Sequence, residues 1–374
     1  MAANAEVDLS HARYGKDKIR VFRVVREEKW HTVIEYNVTA LLEGDIDISY
    51  TKADNSVVVA TDSIKNITYH LAKTSPHILH PERFALHLGT YLVSKYSHMH
   101  KAFITIEQLR WKRIDVRGQE HSHSFWRDGD EKRIVEVVID AAQGKDKIVA
   151  NVSAGIKDLL VLKSTGSAFE NFVRDEHTTL VEVDDRIFST SIDLTFKYAP
   201  FPVLESTSLD APQLVAAENS GKGSAWDGDA VAARARTITL EVFAEDESAS
   251  ATLYKMAEQI VKEYPHVQSA TYTLPNKHYI PVDMRYAGID NLNPYVSFPL
   301  CHVFLFCFAC YGLVSTFMLA LAALAPHSSA QLAPPRTCTA ARRYLARILV
   351  FSHGICPLDL VALTDWPHTP LPKP

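Results

Sequence analysis

The chain has 374 residues, 47% of them apolar, and a formal net charge of −5. That is ample for a core and a poor match to nucleic acid or an acidic membrane as principal partner. All five cysteines, Cys301, Cys307, Cys310, Cys338 and Cys356, lie beyond residue 300. A disulfide framework is excluded from the body, which reads as an intracellular globular protein. Met1–Ser10 has no apolar core, so no signal peptide is expected there.

Residues 1–12 are polar. A strand is expected around Lys18–Val25, and a second over Thr32–Leu42, where Ile34, Tyr36, Val38, Ala40 and Leu42 alternate as a half-buried strand requires. Arg26–His31 is short enough for a hairpin. Asp62 or Ser63 is placed to cap a helix running to about Lys73. A second helix follows Pro81, with Phe84, Leu88, Tyr91 and Lys95 at helical spacing, then strands at Ala102–Trp111 and Arg133–Ala141. The second half repeats this order. Strands are expected over Lys147–Leu162 and Ile187–Tyr198, and a Ser-, Ala- and Gly-rich loop over Pro202–Gly228. Val231–Glu245 fits either period, and its place in the repeat favours helix. A firmer helix carries Leu253, Met256, Ala257 and Ile260, and strands near Ser269–Leu274 and His278–Arg285 close the body. Strand–strand–helix–helix–strand–strand therefore occurs twice, each copy laying two helices on one face of an antiparallel sheet.

Two His-x-His pairs, His98 with His100 and His121 with His123, place imidazoles on one strand face. Neither spacing supplies a third ligand, so no metal site is assigned.

The run from Leu159 through Lys163, Ser164, Thr165, Ser167 and Phe169, with Thr178-Thr179-Leu180 and Arg186 beyond it, resembles the signature of the urate oxidase (uricase) family. The likeness extends to Arg13-Tyr-Gly-Lys16, Thr51-Lys-Ala-Asp-Asn-Ser56, Ala60-Thr-Asp-Ser-Ile-Lys-Asn66 and Leu274-Pro-Asn-Lys-His-Tyr279, covering about residues 10–293. It implies an α+β fold of two tandem tunnelling-fold units, 1–145 and 146–293. Their antiparallel sheet would carry helices on one face and assemble with other subunits into a barrel, as a homotetramer.

It also implies a reaction: urate, dioxygen and water give 5-hydroxyisourate and hydrogen peroxide, with neither metal nor flavin. Phe169 matches the ring that stacks on the purine, and Arg186 the guanidinium whose planar donors grip it. Thr61 and Asp62 match a pair supplied by a neighbouring subunit, and Asn276 the amide that positions dioxygen. Lys16, Thr61 and His278 match a proton relay. From the residues alone, Arg186 is equally a partner for Asp184 or Asp185, and Thr61 and Asp62 are equally helix caps.

Three departures stand out. The family's Val-Gln pair, whose glutamine joins the arginine on urate, is absent between Ser250 and Ala251. This motivates the alternative of an impaired or inactive purine-binding protein. His177 replaces the signature's Tyr or Phe. Residues 294–374 do not match: 303–325 are apolar enough to read as a membrane span, although a poorly ordered or mis-read tail is the preferred reading. The resemblance implies a peroxisome, yet the chain ends Leu-Pro-Lys-Pro and not in a Ser-Lys-Leu-type signal, leaving the cytoplasm otherwise.

Overall fold

The computed structural model describes residues 9–203, 227–246, 249–291, 297–300 and 305–311. All belong to one compact unit, Met1–Ser315. Most of the apolar stretch 303–325 and the interior of the Ser/Ala/Gly-rich loop fall outside them.

Strands β1 (Tyr14–Glu27) and β2 (Trp30–Gly44) form a hairpin. A short helix α1 (Asp47–Thr51) then leads to α2 (Thr61–Thr74) and α3 (Pro81–Lys95). Proline opens α3, where its missing N–H costs nothing. β3 (Met99–Val116) and β4 (Gln119–Asp140) complete the first half. The second half holds β5 (Ile148–Lys163), β6 (Phe188–Tyr198), β7 (Phe201–Val203), α4 (Gly228–Glu245), α5 (Ala249–Glu263) and β8 (Val267–Pro281). The doubtful stretch 231–245 is helical, opened by the Asp227 carboxylate, which accepts from the Asp229 and Ala230 amides.

One antiparallel sheet runs β1-β2-β3-β4-β5-β6-β8, and the tail adds to it. Strand β9 (Ser297–Leu300) pairs with the end of β8, and β10 (Leu305–Tyr311) with its beginning. These two strands lie in the segment set apart as tail on sequence grounds.

Alternation decides the faces. Tyr36, Val38, Ala40 and Leu42 on β2, Ile104 and Ile106 on β3, Val135, Val137 and Ile139 on β4, and Ile192, Leu194 and Phe196 on β6 are buried in a single core. Burying a side chain of this kind contributes roughly 1.5–3 kcal/mol. The alternate positions carry Asn37, Thr39, Thr105, Glu107, Glu136, Ser153 and Thr195, a polar face.

The two halves share a backbone irregularity. The β1–β2 register shifts between Lys16 and Ile19, with Lys18 at φ 54°; the β5–β6 register shifts between Ile156 and Leu159, with Asp158 at φ 61°. Each bulge follows a glycine, Gly15 or Gly155, where a Cβ would overlap the carbonyl oxygen of Ala40 or Leu194 across the ladder.

Three expectations need correction. α2 is not capped by Asp62 or Ser63: its N-cap is Ala60, with no side-chain bond, and Thr61 is already helical. β3 and β4 run well past their expected ends as a long ribbon, whose Arg113 guanidinium lies 3.8 Å from the Trp30 ring centroid and 4.9 Å from that of Phe125. Finally, β8 is one strand through Pro275 to Pro281, followed by a 3-10 turn at Arg285–Ala287 in place of the strand expected to Arg285. Pro275 has no N–H to lose, and its carbonyl accepts from Thr190 Oγ1 at 3.0 Å.

Candidate active site

The loop joining β5 to β6 is folded back on itself. Phe169 N–H donates to the Val183 carbonyl at 2.8 Å, and Val183 N–H returns to Phe169 at 3.1 Å. Asp185 ties down the loop's start, accepting from Thr165 Oγ1 and the Gly166 amide, both at 2.7 Å. These bonds, foremost the Thr165 hydroxyl, hold the Asp185 carboxyl below the usual carboxylate range.

The closure returns Arg186 to Phe169, with the guanidinium carbon 5.2 Å from the ring centroid. Asp185 being engaged elsewhere, Arg186 takes no ion pair among the described residues, and its Nε is buried without a hydrogen-bond acceptor. Burial pulls its pKa down from the ordinary arginine value. Ser167 Oγ in the same loop is also buried without a partner. Phe172 stacks on Phe169 at 5.0 Å, and His177 is exposed beside Glu176.

β8 delivers the remaining groups of this cluster. Asn276 pairs with Thr190 and Lys277 with Ser189, at the end of β6 nearest Arg186, while His278 faces Leu300 of β9. Phe169, Arg186, Asn276 and His278 thus gather at one end of the second half.

Lys16, Thr61 and Asp62 gather elsewhere. Tyr14 Oη accepts from the Val59 amide at 2.6 Å, which draws the start of α2 to β1. Lys16, Thr61 and Asp62 are all exposed. Asp62 accepts from Lys65 Nζ at 2.6 Å and Asn66 Nδ2 at 2.9 Å. Its carboxyl is held down mainly by the Lys65 hydrogen bond, with the Lys16 charge a lesser contributor.

Within one chain the two clusters do not meet. β1 and β8 are separated by six strand spacings. At ~4.8 Å each this is about 29 Å along the sheet. A site using both sets takes one from each of two chains.

The histidine pairs are dispersed. His98 Nε2 lies 2.9 Å from the Val57 carbonyl and His100 Nε2 2.9 Å from Asp45, while His121 and His123 pack ring to ring at 4.5 Å. Among the described residues no three His, Cys, Asp or Glu side chains are grouped to hold a metal, and no helix is long and apolar enough to cross a membrane.

A sheet built from two strand–strand–helix–helix–strand–strand units, helices on one face and polar side chains on the other, defines a tunnelling-fold protein. Comparison narrows the class. The family profile described as Uricase matches residues 12–138 and 152–299, and the chain belongs to that family. It is 46% identical over 285 residues to a uricase of Aspergillus flavus, covering 75% of this chain and 88% of the relative. It is 42% identical over 283 residues to one of Schizosaccharomyces pombe, covering 75% and 88%. The crystal structure of uricase from Arthrobacter globiformis matches with a TM-score of 0.69 at 30% identity, covering 84% of this chain and 98% of that one.

Sequence reasoning offers Asp185 only as an ion-pair partner of Arg186, not as the tie to Thr165 and Gly166, and it gives Ser167 no separate role. Asp185's signal was its place directly before Arg186; Ser167 has no signal beyond lying inside the motif.

Proposed function

We propose that the chain is a urate oxidase, taking urate, dioxygen and water to 5-hydroxyisourate and hydrogen peroxide. The observation that carries this reading is Arg186: a half-buried guanidinium beside the Phe169 ring, with a buried Nε awaiting an acceptor. A flat oxo-purine anion supplies both a face for the ring and oxygens for the guanidinium.

In this reading Phe169 stacks on the purine and Arg186 grips its carbonyl edge. A second chain contributes Lys16, Thr61 and Asp62, the last through its backbone N–H in the first turn of α2, where anions are favoured. Thr61 passes protons between Lys16 and His278, producing the electron-rich urate dianion. That dianion gives one electron to dioxygen held by Asn276. Recombination forms a peroxide at the ring, hydrogen peroxide departs, and water adds at the vacated carbon. No resident cofactor is required. Two chains closing a barrel, and two such pairs forming a tetramer, would bring the opposite sheet edges together. The compartment of this family reading is the peroxisome.

The alternative, purine binding without turnover, is favoured by the absent Val-Gln pair, which falls in the first turn of α5. The test follows urate by its ultraviolet absorbance with peroxide measured in parallel. Consumption matched by peroxide is expected, falling roughly a hundredfold or more in Arg186→Ala as a charged hydrogen-bonding group is lost. Urate binding without consumption, with turnover regained on inserting Val-Gln between Ser250 and Ala251, would establish the alternative. Neither binding nor consumption, from a folded protein with the pair restored, would refute both.

A further inference from the structure

The repeat in the sheet carries each half of the candidate site onto a second location in the same chain. The bulges equate Lys16 with Ile156, which lie opposite Ala40 and Leu194. Four residues back from those partners are Tyr36 and Thr190. Tyr36 faces Gln108 on β3 and Thr190 faces Asn276 on β8, so Gln108 stands where Asn276 stands. Two residues further, Arg110 stands where His278 does. The helices agree independently: α2 buries Ile64 and Leu71, and α4 buries Val231 and Ile238, from starts at Thr61 and Gly228. Asp229 therefore corresponds to Asp62.

The original half-sites lie six strand spacings apart, on β1 with α2 and on β8 with the β5–β6 loop, but these counterparts meet. Gln108, Arg110, Ile156 and Asp229 line one cavity of about 380 Å³ between the two halves, joined by Lys112 and Arg236. That volume lies within the range of small-molecule pockets, roughly 300–1,000 Å³. Most of its charges are already matched. Arg236 Nε meets Glu131 at 2.8 Å and Arg110 Nη2 meets Asp128 at 2.6 Å. The Gln108 amide and the Lys112 ammonium take no side-chain hydrogen bond or ion pair among the described residues, and Arg133 Nε at the wall is buried without an acceptor. What remains unmatched is a set of donors. The relay is gone: isoleucine replaces the lysine, glycine the threonine and arginine the histidine.

We infer that the cavity between the two halves of each chain is a second, non-catalytic site for planar oxo-purine anions, the degenerate counterpart of the oxidising site. The ligand class rests on the urate reading above, whereas the place rests on register and cavity alone. Donors without a base hold the anion and leave it unreacted.

The test is equilibrium dialysis of the full chain against labelled urate under argon, which withholds dioxygen. Three variants accompany the parent: Arg186→Ala, Ala233→Trp and Gln108→Leu. Ala233 is exposed on α4 and lines the cavity, so tryptophan there fills it without entering the core. Arg186→Ala is expected to keep one class of urate binding. Ala233→Trp should weaken that class at least tenfold while aerobic urate consumption stays within twofold of the parent, and Gln108→Leu should weaken it independently. A single class of binding that vanishes in Arg186→Ala would overturn the second site and leave the urate oxidase reading standing. Retained binding indifferent to both cavity variants would overturn its location. Binding sensitive to Ala233→Trp, with no component depending on Arg186, would keep the second site and sink the first. No urate binding at all would sink both.

Discussion

Removing the Arg133 guanidinium should destabilise the junction of the two halves far more than replacing its whole ion pair. Glu82 in the first turn of α3 is 1% exposed, and both its oxygens lie 2.6 Å from Arg133 Nη2. Arg133 on β4 also donates through Nη1 to Asp229 on α4, to which His80 Nδ1 is bonded as well. Burial pulls the Arg133 pKa down, but the Glu82 and Asp229 carboxylates more than offset it and hold the guanidinium above its usual value. Arg133→Met would strand a buried carboxylate, at a cost of about 3–5 kcal/mol. Spread over a cooperative unit of roughly 300 residues, that is a fall in Tm of about 5–8 °C. The double variant Arg133→Met, Glu82→Gln removes the fully buried charge, leaves the more exposed Asp229 its bond to His80, and should recover most of the loss. Scanning calorimetry at one fixed protein concentration measures both. A single variant within about 1 kcal/mol of the parent, or a double variant no better than the single, would refute the reasoning. The network bears on the proposed function because it joins the two halves, and so the β1 and β8 ends of the sheet that carry the two clusters.

His87 is buried, with Nδ1 2.9 Å from Ser75 Oγ, and burial pushes its pKa from 6.5 down to about 4. The folded ring is neutral, so the unfolded chain takes up the extra proton between those values. Stability present above pH 6.5 should be withdrawn as pH falls toward 4, by up to about 3 kcal/mol. Urea midpoints at pH 7 and pH 5 should show this in the parent and not in His87→Leu. Gly155→Ala should cost about 1–3 kcal/mol, as the new Cβ collides with the Leu194 carbonyl, without changing KM for urate. A thermal scan unchanged from the parent would contradict it. Truncation after Asn293 removes β9 and β10 and bares the outer edge of β8, whereas truncation after Ser315 keeps both. The shorter form should lose about 5 °C in Tm and aggregate, and equal behaviour of the two would show the strands to be dispensable.

Much of this architecture is legible in the residues. The alternation over Thr32–Leu42 reads directly as β2, and Pro81 marks the start of α3. The repeat settles 231–245 as α4 where periodicity alone is divided. What escapes is governed by the partner across the ladder. β8 continues through Pro275 because the strand on one side asks nothing of its missing N–H, a fact that belongs to β6. The ribbon from Trp111 to Arg133 is rich in charge and histidine, and it extends as a strand because Arg113 lies between Trp30 and Phe125 on separate strands. The paired bulges survive in sequence only as Gly15 and Gly155 with similar spacing to Ile19 and Leu159, too sparse to read before the registers are known. The chemistry of the site is less legible still. Phe169 and Arg186 lie in one motif, but nothing in their spacing states that Val183 folds back on Phe169, or that Lys16 and His278 lie six strand spacings apart.

The most direct test of the central claim is complementation between two damaged chains. Lys16→Met disables one half-site and Arg186→Ala the other, and each alone should be inactive toward urate. Unfolded together and refolded, half the pairs formed at random are mixed, and each mixed pair holds one site with both halves intact. Urate consumption should return to about a quarter of the parent rate. A mixture as inactive as either variant, although its chains have demonstrably exchanged, would mean that the oxidising site is not assembled from two chains.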